Sequence, residues 1–227
     1  MTWSGSSAGS CSCRGTPWCR APARLPVSAA SAFEVGKPAT VVNSKAFWLD
    51  AKEIGQSDSA PGKLLGGAQV SVKAREGDRL QLVLKGWQVE GTPSVIYQAQ
   101  GQRVMMAVLD EAAVARLVRG KPEQDADTGQ QWLPVTLEVW SDATGMHADR
   151  AAVWAYGKEV YQAACSACHV LPQQGQFTAN QWAGTLKSMR RFTSFSDDPY
   201  RLILSYLQNH SKDLRDGGTS SSGHGGT

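Results

Sequence analysis

The sequence lacks any apolar run approaching the roughly 18 to 20 residues that a membrane-spanning helix requires, so no span is expected within it. It also lacks the h-region of a secretory signal peptide, which needs about 7 to 15 apolar residues. Arg14, Arg20 and Arg24 are present, but only scraps such as Leu25-Pro26-Val27-Ser28-Ala29-Ala30 accompany them. No block of about five or six like charges occurs, and the formal net charge of +3 is too diffuse to argue for a nucleic-acid partner. The only basic doublet, Arg190-Arg191, reads equally as a solvated helix end or a docking patch. Cysteine is scarce, and its odd count of five argues against a disulfide framework. Cys11, Cys13 and Cys19 have no histidine nearby and make a poor zinc pattern.

What is present divides the chain. Residues 1–32 are small residues with scattered Arg and Pro and no periodicity, which reads as a disordered or non-native leader. Residues 215–227 are Gly/Ser/Thr-rich and read as a flexible tail. Between them, strand signals dominate from Phe33 to about residue 145. Val70 to Ala74 and Leu80 to Leu84 alternate about a Glu76-Gly77-Asp78 turn, predicting a hairpin. Val95-Ile96-Tyr97, Val104 to Leu109 and Leu133 to Trp140 are further strand candidates, and Asp110 to Arg119 a short helix. The stretch Ala74 to Leu82 running into Gly86-Trp87 resembles bacterial SH3-like domains, which are small bent β-barrels. Trp87 then reads as a core or rim aromatic rather than a peptide platform.

From 149 to 214 the period changes to that of helices. Val153, Tyr156, Gly157, Val160, Tyr161 and Ala164 form a stripe leading into Cys165. Thr178-Ala179-Asn180-Gln181 is a capping-box start, placing Trp182, Leu186 and Met189 on one helix face. Ser196-Asp197-Asp198-Pro199 opens a last helix whose stripe is Tyr200, Ile203, Leu204, Leu207 and His210.

Cys165-Ser166-Ala167-Cys168-His169 is C-x-x-C-H, the attachment signature of c-type haem. Each thiol adds to one vinyl group, so two sulfurs must straddle the porphyrin edge while the next residue brings an imidazole to the iron. A thioredoxin-like pair would open a helix in a βαβ unit, whereas this motif ends a helix. A zinc site would need a second ligand pair, and the sequence supplies none. One covalent haem c is therefore expected, held by Cys165 and Cys168 and ligated by His169.

The region around the motif resembles cytochrome c domains. Gly157, four residues ahead of Tyr161, resembles the position where two helices cross in that family, with Tyr206 or Leu207 as the expected partner. Leu171-Pro172 resembles the family's proline turn, which implies that the Pro172 carbonyl accepts from His169 Nδ1. Gln181-Trp182 with Met189 resembles small cytochromes whose methionine is the distal ligand, so Met189 is the first candidate for that role. His210 is the alternative, and an open sixth position the third. Core packing and a dipole-complementing helix end remain the plain readings of Met189 and His210.

A closer resemblance rests on Gly157-Lys158-Glu159-Val160-Tyr161, the motif with Val170-Leu171-Pro172, Phe177 to Trp182, Met189-Arg190-Arg191-Phe192 and Tyr206 to His210. These, with the β-rich part before them, resemble the C-terminal part of the pentahaem c-type cytochromes of trimethylamine N-oxide respiration, in the NapC/NirT-type quinol dehydrogenase family. The resemblance implies an electron carrier rather than an enzyme. Its partners would be a multihaem quinol dehydrogenase as donor and a periplasmic molybdenum reductase as acceptor. It also implies a link to a sensor kinase, and a periplasmic, membrane-associated setting. The family's tetrahaem part and membrane anchor are missing, so the chain is expected to be a truncated or frame-shifted product of a longer gene. A haem-dependent sensor module and a peroxidase with an open sixth site are the competing functions. The expected fold class is α+β: an SH3-like β domain over 33–145 followed by an all-α monohaem cytochrome c domain over 149–214.

Overall fold

A computed structural model of the chain describes residues 28–56, 59–126, 128–166, 170–193 and 195–214. Cys11, Cys13, Cys19, Cys168, His169 and the tail 215–227 lie outside the described residues, as does the leader up to residue 27. Eleven strands form one sheet among the described residues. They are β1 (Pro38–Val41), β2 (Lys45–Phe47), β3 (Gly62–Leu64), β4 (Gln69–Glu76), β5 (Arg79–Val89), β6 (Val95–Ala99), β7 (Gln102–Leu109), β8 (Val118–Arg119), β9 (Glu123–Gln124), β10 (Gln131–Asp142) and β11 (Met146–His147). The helices are α1 (Glu111–Ala115), α2 (Arg150–Cys165), α3 (Ala179–Arg190) and α4 (Asp197–Asn209). No described helix is long and apolar enough to cross a membrane.

The sheet is antiparallel and centred on β5. Strand β10 follows one edge of β5 from Trp132↔Val89 to Asp142↔Arg79, while β4 and β6 share its other edge. The hairpin between β4 and β5 turns at Gly77, whose φ of 61° needs a residue without a Cβ penalty. From β6 the path runs through β7 and β3 to β2. It then curls back: the Trp48 N–H donates to the Trp140 carbonyl at 2.8 Å, and the Trp140 N–H returns a bond of 2.7 Å. Alternation points Leu80, Leu82 and Leu84 inward to meet Ile96, Leu137 and Phe47 in one buried core.

The expected SH3-like β domain followed by an all-α cytochrome c domain is corrected by this architecture. The chain is mostly β, with a curled sheet larger than a small barrel and a few helices packed on it, mixed α+β overall. Helix α4 shows why. Its pattern reads as one apolar stripe, yet every residue from Leu202 to Asn209 is buried, polar Ser205, Gln208 and Asn209 included. One face meets α2 and α3, where Tyr161, Trp182, Ile203, Tyr206 and Leu207 share a core. The other meets the sheet. Gln208 Nε2 donates to the Arg103 carbonyl at 3.4 Å, and Gln98 Nε2 donates to Asn209 Oδ1 at 2.8 Å. The Ser44 N–H donates to Asp198 Oδ1 at 3.2 Å, and Val42, Val153 and Leu202 form a small core between the layers. Helices buried this way belong to a shared core, not to a separate all-helical unit.

Two glycines set the spacing of α4. A Cβ on Gly157 would lie 3.1 Å from Tyr206 Cβ, so the α2–α4 crossing expected from the sequence occurs there. Gly67 has φ of 89°, and a Cβ on it would lie 2.4 Å from Ser205 Cβ. Gly67→Ala therefore combines left-handed strain with overpacking and should destabilise the fold by about 3 kcal/mol. Gly184 lies mid-helix in α3 with nothing within 4 Å of a built Cβ. Gly184→Ala should stabilise by about 0.5–1 kcal/mol. Urea unfolding of both variants measures the two effects, and the same sign for both would contradict this packing.

Candidate haem site

Helix α2 begins at the Asp149 cap, whose carboxylate accepts from the Ala151 N–H at 2.8 Å, and it ends at Cys165. Its buried positions, Val153, Gly157 and Tyr161, repeat every fourth residue and carry that face to the first motif cysteine. Helix α3 opens with the capping box read from the sequence: Gln181 N–H donates to Thr178 Oγ1 at 3.2 Å, and Thr178 N–H donates to Gln181 Oε1 at 3.0 Å. That start aims Trp182, Leu186 and Met189 at the end of α2.

Between these helices lies a cavity of about 320 Å³. Cys165, Met189, Trp182 and Pro172 all line it, together with Tyr161, Leu171, Leu186 and Phe192. Its walls are mostly apolar, Thr185 and Thr193 apart, out to the exterior, where Phe192 is 71% exposed and Val170, beside the motif, 94% exposed. A flat apolar macrocycle with one edge open suits such walls. The Cys165 sulfur and the Met189 thioether border the same space, so the residues present fit a covalently attached haem.

Several polar atoms around the cavity bond to neighbouring backbone, Thr193 Oγ1 to the Arg190 carbonyl at 3.0 Å among them. Trp182, 1% exposed, donates its Nε1–H to the Gln174 carbonyl at 3.0 Å and presents only its ring to the cavity. Phe177 meets that ring edge-on at 4.9 Å. The Pro172 carbonyl, expected to receive His169 Nδ1, accepts the Tyr161 hydroxyl at 3.0 Å. A carbonyl has two lone pairs, so one remains for a second donor. Burial pushes the Cys165 thiol up from its ordinary value. Forming the thioether adds S–H across a vinyl group, which needs no oxidant.

His210 lies elsewhere. Its Nδ1 donates to the Tyr206 carbonyl at 2.7 Å, and its ring sits between Tyr206 at 4.5 Å and Trp154 at 5.9 Å. It does not line the cavity. The sequence pattern singled out Cys165, Pro172, Trp182 and Met189, which the fold brings together. It did not single out Tyr161 as a hydrogen-bonding wall residue or Phe192 as the apolar lip. An aromatic four residues before the motif was the available signal for Tyr161.

The model of the TorC third cytochrome c domain matches residues 33–146, half of the chain. The chain belongs to this family. The matched stretch is the curled sheet, and the C-x-x-C-H motif follows it. Among curated relatives, the cytochrome c-type protein TorY of Haemophilus influenzae is 35% identical over 139 residues, 61% of this chain and 38% of that protein. The cytochrome c-type protein TorC of Escherichia coli is 33% identical over 155 residues, 68% of this chain and 40% of that protein. The chain thus spans about 40% of the length of these relatives. No solved structure matches it. Membership among c-type cytochromes supports covalently bound haem c as the cofactor and electron transfer as the class of activity.

Burial pushes the Tyr161 phenol up to about 12, with repulsion from Cys165 and Tyr206 adding to it. The folded state therefore holds this proton more tightly than the unfolded chain does. Its contribution is fully present below about pH 10 and is lost as pH rises towards 12. Tyr161→Phe should remove that part of the alkaline loss, on the order of 2 kcal/mol, while costing about 1 kcal/mol at neutral pH through the lost hydrogen bond. Urea unfolding at a series of pH values separates the two, and parallel alkaline curves for both proteins would refute the assignment.

Proposed function

We propose that this chain is a single-haem electron carrier, with haem c attached through Cys165 and Cys168, His169 as proximal ligand and Met189 as distal ligand. The observation that carries the reading is the apolar cavity shared by Cys165 and Met189, in a chain belonging to a c-type cytochrome family. The haem iron supplies reversible one-electron chemistry. The chain's own residues do the rest. Cys165 anchors one edge, Trp182 and Leu186 exclude water, and the Pro172 carbonyl has a lone pair free to orient the proximal imidazole. A thioether at the sixth position raises the potential relative to a second imidazole. The placement of His210 against Trp154 and Tyr206 favours Met189 in that role.

The finer reading follows the resemblance to the pentahaem cytochromes of trimethylamine N-oxide respiration. Electrons would come from a quinol-linked multihaem donor and pass to a periplasmic terminal reductase of the trimethylamine N-oxide type. The setting is the periplasm.

The test is to export residues 33–216 with a known signal peptide alongside the c-haem maturation system, and to record absorption before and after denaturation. The expected result is low-spin haem that stays on the denatured chain; haem lost on denaturation, or never acquired, would sink the reading. The weak near-infrared band of Met-ligated ferric haem should disappear in Met189→Ala and persist in His210→Ala. The reverse pattern would give the sixth position to His210.

A further inference from the structure

Beside α3, on the face adjoining the one that lines the haem cavity, the helices and β7 enclose a second groove of about 720 Å³. Arg103 from β7, Lys187 and Arg190 from α3, Arg191 just beyond it, and Arg201 from α4 line it, and no Asp or Glu does. Asp197 pairs with Arg190. Among the described residues, Arg103, Lys187, Arg191 and Arg201 have no carboxylate partner. Five cations against one carboxylate leave four unit charges in the groove, more than the formal +3 of the whole chain. The positive charge that looks diffuse along the sequence is concentrated here.

The guanidinium groups are held in place by apolar surface. Arg190 Cζ lies 4.6 Å from the Tyr200 ring centre, Arg191 Cζ lies 4.7 Å from that of Phe192, and the nearest partner of the Arg201 fork is the Met105 sulfur at 3.7 Å. A ring or thioether contact leaves most of a guanidinium's N–H groups for an anion, so Arg191 and Arg201 keep donors to offer, while Asp197 takes up part of Arg190. The cations come from β7, α3, the residue just beyond it and α4, and Leu204 and Met105 add apolar lining. A run of carboxylates on methylene stems matches guanidinium forks set among apolar lining.

We infer that this groove is the docking site for a carboxylate-rich segment of the protein that exchanges electrons with this chain. The inference rests on the electron-carrier reading, because α3 joins the two sites. Trp182, Leu186 and Met189 line the cavity, while the adjoining Ala183, Lys187 and Arg190 line the groove. A segment seated there lies within about one helix diameter, roughly 10 Å, of the haem cavity.

The test uses the haem-loaded chain and a fluorescein-labelled hexaglutamate peptide, read by fluorescence anisotropy at low ionic strength. Saturable binding is expected, with hexaglutamine failing to bind. The Arg103→Glu/Lys187→Glu pair, both exposed positions, should weaken binding at least about tenfold and leave the haem spectrum and circular dichroism unchanged. The control pair Lys85→Glu/Lys121→Glu changes net charge equally outside the groove and should shift binding less than about twofold. Arg201→Gln gives a second, charge-neutralising check. Equal losses from both charge-reversal pairs would overturn the inference in favour of diffuse attraction. Inorganic phosphate displacing the peptide at lower concentration than the peptide's own saturation would overturn it in favour of a small-anion site. Peptide that does not bind a protein with an intact haem spectrum sinks the groove alone, whereas protein without covalent haem sinks the carrier reading whatever the peptide does.

Discussion

Helix α4 is buried on both of its faces, and the placement of everything around the haem site follows from that. One face rests on the sheet through Ser205, Gln208 and Asn209, the other on α2 and α3 through Tyr206, Leu207 and Ile203. Glycine sets the approach on each side, at Gly67 against Ser205 and at Gly157 against Tyr206. Because a packed interior does not stretch, these two contacts fix where α2 ends. The end of α2 is where Cys165 stands.

The cavity between α2 and α3 is lined mostly by apolar groups. Tyr161, Trp182 and Thr193 spend their polar atoms on the Pro172, Gln174 and Arg190 carbonyls. Ring faces, aliphatic carbon and sulfur make up most of the wall. Low polarity here favours the less charged state of any redox group the walls enclose, and the open apolar lip at Phe192 leaves an edge through which electrons can pass. The raised Tyr161 and Cys165 protonation equilibria are signs of the same apolar surroundings.

Helix α3 separates two environments of opposite character. Its cavity side is Trp182, Leu186 and Met189; its outer side is Ala183, Lys187 and Arg190, joined by Arg103 from the sheet and Arg201 from α4. One amphipathic helix thus divides apolar from basic. The basic side is assembled from residues nearly a hundred positions apart, which is why no charge block appears along the chain.

Much of the helical region was legible in order. The capping box at Thr178, the i, i+4, i+7 set of Trp182, Leu186 and Met189, and the C-x-x-C-H motif are local signals, and local signals survive without knowledge of the fold. The β4–β5 hairpin and the long strands β7 and β10 were legible for the same reason, as two-residue alternation. Short strands were not: β1, β2, β3 and β11 have two to four residues each, too few to show a period, and exist because longer neighbours pair with them. The fold class was misread because periodicity reports one buried face, and α4 has two. The burial of Gln208 and Asn209, the displacement of His210 from the cavity and the basic groove all depend on contacts between elements far apart in the chain: β7 with Gln208, β6 and α2 with Asn209, α2 with His210. Composition and spacing carry the chemistry of attachment; which side chains share a space is settled only when the sheet and α4 close on each other.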